Sequence, residues 1–178
     1  MTCIAGVEHN KKVYIGGDSA GTSELSITIR ADEKVFINGP CIFGFTTSFR
    51  MGQILRYQLH IPNKPKKMSE TVFVHTMLLE SIRKTLKDFG YAKISENTEV
   101  GGTFLLGYAG HLYKVGSDYQ VSRSVETFAA CGCGEPYAIA SLYTTKRSNL
   151  PTKRIQQALK VAEHFSVGVK GPFTILNL

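Results

Sequence analysis

The spacing of apolar residues changes period along this chain, and the order of those changes restricts the folds open to it. Near the start, Thr2-Cys3-Ile4-Ala5-Gly6-Val7 and Val13-Tyr14-Ile15 are short apolar runs around the polar stretch Glu8-His9-Asn10-Lys11-Lys12, which suits a hairpin. Leu25-Ser26-Ile27-Thr28-Ile29 alternates apolar and polar residues, the mark of a half-buried strand. Lys34-Val35-Phe36-Ile37 and Cys41-Ile42-Phe43-Gly44-Phe45 flank the turn residues Asn38-Gly39-Pro40 and read as another hairpin.

The period then lengthens. Ser48 is placed to cap a short helix through Met51, Ile54 and Leu55, and Pro62 and Pro65 punctuate the chain beyond it. Ser69 is placed to cap a longer helix in which Val74, Leu78, Ile82, Leu86 and Phe89 share one face, with Gly90 as its stop. Strands return over residues 103–108, 111–115 and 127–130. Helices are predicted over 136–145 and 152–166, the second with Pro151 ahead of it, and a strand over 173–176 closes the chain. Segregated blocks of this kind predict an α+β layered fold with mainly antiparallel sheets. No linker, repeat or low-complexity segment interrupts residues 1–178, so one domain is expected.

Composition narrows the functional classes. A chain of 178 residues with 43% hydrophobic and 20% charged residues is expected to be globular with a real core. No apolar run is long enough to span a bilayer and no signal peptide opens the sequence, which predicts a cytoplasmic protein without a membrane partner. Cys3, Cys41, Cys131 and Cys133 are expected as free thiols. Cys131-Gly132-Cys133 is too tight for zinc spacing and no second ligand cluster accompanies it, so neither a metal nor a cofactor is expected. The net charge of +7 gathers at Lys64-Pro65-Lys66-Lys67, Lys146-Arg147 and Lys153-Arg154. No aromatic residues interleave there to stack bases, so these read as solvated surface and no nucleic-acid partner is expected.

The chemistry starts at Thr2. A small second residue allows Met1 to be removed, which leaves a threonine with a hydroxyl and a free α-amine. An N-terminal threonine carries its own base, because an α-amine has a reference pKa of about 7.7–8.0. If the first hairpin turns at Asn10, residues pair when their numbers sum to roughly twenty, so Thr2 faces Asp18. Aspartate within Gly16-Gly17-Asp18-Ser19 also suits a plain turn. Lys34, at the start of an otherwise apolar strand, suits either an edge guard or an inward ammonium that keeps the amine unprotonated.

Thr2, Gly16-Gly17-Asp18 and Lys34-Val35, taken together, resemble the start of proteasome β-type subunits and especially the HslV-like peptidases. Gly132-Cys133-Gly134-Glu135-Pro136-Tyr137-Ala138 looks like that family's Gly-Ser-Gly-Gly-Pro-Tyr-Ala segment. The resemblance runs nearly end to end and is weak between about Tyr57 and Glu99. It implies the N-terminal nucleophile hydrolase fold, a four-layer αββα sandwich of two antiparallel sheets between helical layers. It implies a threonine-type peptidase acting on peptides or unfolded proteins, with Thr2, Asp18 and Lys34 catalytic. Cys133 stands where the family has a serine and would be a proton relay. Thr47, in Gly44-Phe45-Thr46-Thr47-Ser48, stands at the loop whose backbone N–H would meet the oxyanion, and His164 stands where many relatives are acidic. A ring-shaped homo-oligomer is implied as well, with a separate ATP-dependent unfoldase, since no nucleotide-binding loop is present here. Two alternatives remain open: a small-molecule amidase on the same fold, and a ring-forming subunit without catalysis.

Overall fold

The structure, a computed structural model, describes residues 1–23, 25–95 and 98–178. The elements run β1 (Cys3–His9), β2 (Lys12–Gly17), β3 (Ala20–Ser23), β4 (Ser26–Ile29), β5 (Val35–Asn38), β6 (Cys41–Phe45), α1 (Phe49–Tyr57) and α2 (Glu70–Phe73). A π-helical turn over Val74–Leu78 leads into α3 (Leu79–Asp88), then β7 (Lys93–Ser95), β8 (Thr98–Val100), β9 (Phe104–Tyr108), β10 (His111–Val115), β11 (Val121–Ser122) and β12 (Phe128–Gly132). Helices α4 (Glu135–Thr144) and α5 (Pro151–Phe165) precede β13 (Thr174–Asn177).

Two antiparallel sheets stack face to face, one ordered β12-β1-β2-β13 and the other β11-β10-β9-β6-β5. Side-chain alternation sorts the core into three layers. Ile4, Val13, Ile15, Val35, Ile42, Leu105, Leu112 and Cys131 fill the space between the sheets. Cys3, Ala5 and Val7 point the other way, against Ala138, Leu142, Ile155, Leu159 and Ala162 of α4 and α5. Phe43, Phe104 and Leu106 on the far side of the second sheet meet Met51, Ile54, Leu55, Leu78, Ile82 and Leu86. The result is the αββα sandwich expected. Each buried leucine or isoleucine contributes about 1.5–3 kcal/mol to it.

The caps hold the helices where the sequence puts them. Ser48 accepts from Arg50 N–H at 3.1 Å and Ser69 from Val72 N–H at 3.3 Å. Three expectations are corrected. The first hairpin pairs Ile4 with Gly17 and His9 with Lys12, so its register is one residue away from the one expected. The cause is the turn: Asn10 and Lys11 both take positive φ, 50° and 59°, as a two-residue type I′ turn requires. Leu25-Ser26-Ile27-Thr28-Ile29 is not half-buried; among the described residues β4 pairs only with β3, and Ile27 and Ile29 remain exposed at 44% and 47%. Phe89 does not join the helical core face: the helix ends at Asp88, the chain turns, and Phe89 is exposed.

Candidate active site

Five strand ends converge at one end of the sandwich: the start of β1, the end of β2, the start of β5, the end of β6 and the end of β12. They bring together Thr2, Asp18, Lys34, Thr46, Thr47 and Cys133. Thr2 is 6% exposed, Asp18 1% and Lys34 2%, so the charges of this group are held out of water.

Asp18 stands just beyond the last pair of the β1–β2 ladder, Ile4 with Gly17, and its N–H bonds to Cys3 O at 3.3 Å. Oδ1 accepts from Cys3 N–H at 3.0 Å and from Lys34 Nζ at 2.9 Å. Oδ2 accepts from Ala20 N–H at 3.0 Å and Lys170 N–H at 3.4 Å. A carboxylate with four donors is well matched to burial. Lys34 spends its second bond on Thr2, Nζ donating to Oγ1 at 2.8 Å. Burial pulls the Lys34 ammonium below the ordinary lysine range, and the Asp18 carboxylate partly offsets that. The ring of Phe49 lies 5.6 Å from Lys34 Nζ and 3.8 Å from the Arg30 guanidinium.

Cys133 closes the opposite side. Thr2 N–H donates to Sγ at 3.2 Å, and Sγ lies 3.4 Å from Thr2 O and 3.3 Å from Ser166 Oγ. The approach depends on Gly132, whose φ is +97° and whose missing Cβ would stand 2.2 Å from Thr2 O. Neighbouring Cys3 is fully buried, and burial pushes its thiol far above the ordinary range.

Thr47 is exposed and takes φ 64°, an unusual conformation for a β-branched residue. Its hydroxyl accepts from Thr103 N–H at 3.2 Å, while Thr46 Oγ1 donates to Thr103 O at 2.8 Å. Among the described residues no acceptor takes the Thr47 N–H. Met1, Thr2, Ala20, Thr22, Lys34 and Thr47 are among the residues lining a cleft of about 80 Å³. Met1 sits in it: its ammonium reaches Thr22 Oγ1 at 3.2 Å, and the Thr2 hydroxyl donates to Met1 O at 2.5 Å. The nitrogen of Thr2 is therefore an amide while Met1 is in place.

The structure thus brings Thr2, Asp18, Lys34, Cys133 and Thr47 to one place, and leaves His164 outside. His164 is exposed on α5 with its ring edge-on to Phe165 at 4.7 Å. Ser166, two residues later, meets Cys133 instead. Sequence reasoning missed Ser166, Thr22 and Phe49. Thr22 lies on β3, a strand that the sequence analysis did not predict, and nothing in the spacing marks Ser166, the residue that ends α5.

No family model matches the chain. It is 24% identical over 182 residues to ATP-dependent protease subunit HslV of Caldicellulosiruptor saccharolyticus, spanning 99% of this chain and 98% of that one. Among solved structures, BPH of Thiobacillus denitrificans in complex with epoxomicin superposes with a TM-score of 0.83 at 17% identity, covering 99% of this chain and 98% of that chain. HslV of Trypanosoma brucei follows with a TM-score of 0.71 at 16% identity, covering 99% of both chains. Anbu of Yersinia bercovieri has a TM-score of 0.69 at 12% identity, covering 99% of this chain and 81% of that chain. Among the described residues no helix is long and apolar enough to cross a membrane. With two antiparallel sheets between helical layers and a sequence likeness that runs its full length, the chain has the fold of the HslV-like, proteasome β-type N-terminal nucleophile hydrolases.

Proposed function

We propose that the chain is an N-terminal threonine peptidase that becomes competent when Met1 is removed. The observation that carries this reading is the buried Thr2–Lys34–Asp18 relay, with Lys34 Nζ 2.8 Å from the Thr2 hydroxyl and 2.9 Å from the Asp18 carboxylate. Removing Met1 converts the Thr2 nitrogen from an amide into an amine beside Cys133. That amine takes the hydroxyl proton as Oγ1 attacks the substrate carbonyl carbon. Lys34 supplies positive charge at the alkoxide as it forms and disfavours protonation of the amine in the resting state. Asp18 keeps that lysine charged and aimed. The Thr47 N–H is the donor offered to the oxyanion, and its lack of any other partner supports that role. Collapse expels the amine half of the substrate, which takes its proton from the Thr2 ammonium. Water then attacks the ester on Thr2, and the same amine accepts the proton from it. Cys133, bonded to the Thr2 nitrogen and to Ser166, is the relay between them.

The likeness to an ATP-dependent protease subunit supports peptides or unfolded proteins as substrates, a ring of like subunits and a separate ATP-driven unfoldase. A silent subunit is the rival reading, since a Thr2 nitrogen held as an amide could not act as the base. A peptide epoxyketone separates the two, since it needs both the hydroxyl and the amine of a terminal threonine. On Met1-free protein the adduct is expected on the N-terminal peptide, forming more slowly in Lys34→Ala. Absence of any adduct on Met1-free protein, across probes with different side chains, would sink the peptidase reading.

A further inference from the structure

Phe45 with Phe104 is the last pair of the β6–β9 ladder, so the antiparallel register sets Thr46 opposite Thr103 where the two strands leave the sheet. Thr46 N–H donates to Thr103 O at 3.1 Å. Ser48 N–H donates to Thr46 O at 2.6 Å, a bond that spans one residue and makes Thr47 the middle of a three-residue turn. With Thr47 at φ 64° this is the γ-turn of positive φ, the rare and strained form. Thr46, Thr47 and Ser48 all line the Thr2 cleft. Two of their three N–H groups are engaged within this turn and its strand partner. The Thr47 N–H is left without an acceptor among the described residues.

A glycine would hold this turn unaided, whereas a β-branched residue needs compensation. Side-chain hydroxyls supply it. Thr103 N–H donates to Thr47 Oγ1 at 3.2 Å, and Thr46 Oγ1 donates to Thr103 O at 2.8 Å. The two hydroxyl oxygens lie 3.2 Å apart. The Thr46 proton is committed to Thr103 O, so the Thr47 hydroxyl is the donor between them. The circuit of bonds thus leaves Thr103 by its N–H, passes through Thr47 and Thr46, and returns to Thr103 by its C=O. Each hydroxyl both donates and accepts, an arrangement in which neighbouring bonds strengthen one another. Gly102 permits the approach: a Cβ there would stand 3.2 Å from Thr47 Cβ and 2.4 Å from Met51 Sδ.

We propose that this closed circuit, Thr47 Oγ1 and Thr46 Oγ1 tied to both backbone groups of Thr103, positions the Thr47 N–H at the Thr2 cleft. The side chains of Thr46 and Thr47 are positioning residues. They act through the backbone, holding a strained turn whose one free donor is offered to the substrate oxygen as negative charge develops on it. Hydroxyls here do by bonding what glycine does by conformational freedom. The inference rests on the peptidase reading and adds to it the groups that set the oxyanion donor in place.

The test uses Met1-free protein and a fluorogenic peptide, with kcat and KM measured separately. Thr47→Val keeps the branched shape and deletes the hydroxyl. Its kcat is expected to fall about tenfold to a hundredfold with KM little changed, as for a donor misplaced in the transition state alone. Thr47→Ser keeps the hydroxyl and is expected to restore most of that loss. Thr47→Gly is expected between the two, because glycine adopts the turn without the circuit; a side chain that mattered for packing alone would make glycine the slowest. Thr46→Val breaks the circuit one residue from the donor and is expected to lower kcat in the same way and by less. Unfolding midpoints verify that each variant is folded, and if Thr47→Val is not, Thr46→Val decides. A parent with neither turnover nor epoxyketone adduct would fell the peptidase reading and the positioning with it. With an active parent, a folded Thr47→Val or Thr46→Val at the parent's kcat, or a Thr47→Gly slower than Thr47→Val, would overturn the positioning alone.

Discussion

The two ends of the sandwich are built from the same strands and carry opposite solutions to ending them. At one end Thr2, Asp18, Lys34 and Cys133 stand beyond the last ladder pairs, and a buried ion pair is held by backbone donors. At the other, tight turns close the strands: Asn10-Lys11 after β1, Gly39-Pro40 after β5 and Ala109-Gly110 after β9, with positive φ at Asn10, Lys11, Gly39, Ala109 and Gly110. Lys11, Pro40, Ala109 and Gly110 line one apolar recess there, beside Leu178. The turn end spends its unusual backbone on reversing the chain with few residues. The Thr2 end spends burial on charge, which costs stability and sets a buried ammonium against the Thr2 hydroxyl.

Substitution separates the two ends. The largest effect is expected at Thr2: Thr2→Ala should lower peptide turnover by at least about a thousandfold and leave the unfolding midpoint close to the parent's. Turnover above a tenth of the parent's would contradict the assigned nucleophile.

Next is Lys34→Ala, which leaves the Asp18 carboxylate buried beside an empty site and should cost about 3–5 kcal/mol in denaturant unfolding. Pairing Lys34→Met with Asp18→Asn should recover part of that stability and none of the turnover. Full recovery of stability by Lys34→Met alone would show that the ion pair is not what the fold is protecting.

At the turn end the effect should fall on stability alone. Gly110 has φ +79°, and a Cβ there would lie 2.7 Å from Lys11 O. Gly110→Ala is expected to cost about 1–3 kcal/mol through backbone strain and contact, with turnover per folded molecule unchanged. A loss of turnover in the folded variant would erase the distinction between the ends.

The smallest effect concerns Glu8, which joins the two sheets near that turn end. It accepts from Leu112 N–H at 2.7 Å and pairs with Arg123. Burial pushes its carboxyl up, but Arg123 and the Leu112 N–H together hold it below the ordinary range. With the folded value below the unfolded one, the stabilisation is complete above the unfolded pKa, about 4.3, and fades as the pH falls through the folded value. Glu8→Gln should therefore lower stability by about 1 kcal/mol at neutral pH and flatten its dependence on pH in the acid range. Urea midpoints at neutral and acid pH measure both.

Much of the fold was legible because local rules agree with one another. The caps at Ser48 and Ser69 and the stop before Gly90 rest on a few neighbouring residues. So does the change of period that separates strands from helices. The hairpin register was misread because it hangs on a single turn residue: both Asn10 and Lys11 take positive φ, and a lysine gives little sign of that in advance. The exposure of β4 was illegible for another reason. Alternation reports that a strand has two unlike faces, and not whether anything covers the apolar one.

For the candidate site, the residue types were present in the sequence while the contacts were not. Thr2, Asp18, Lys34 and Cys133 stand out by spacing and by likeness to a family motif. Their distances, the aim of Lys34 and the partnership of Cys133 with Ser166 arise only where five strand ends meet. The sequence alone determined the order of elements and the apolar faces, because those depend on residues within a turn or two of one another. The tertiary structure decided which polar groups are buried together, because desolvation depends on neighbours distant in the chain.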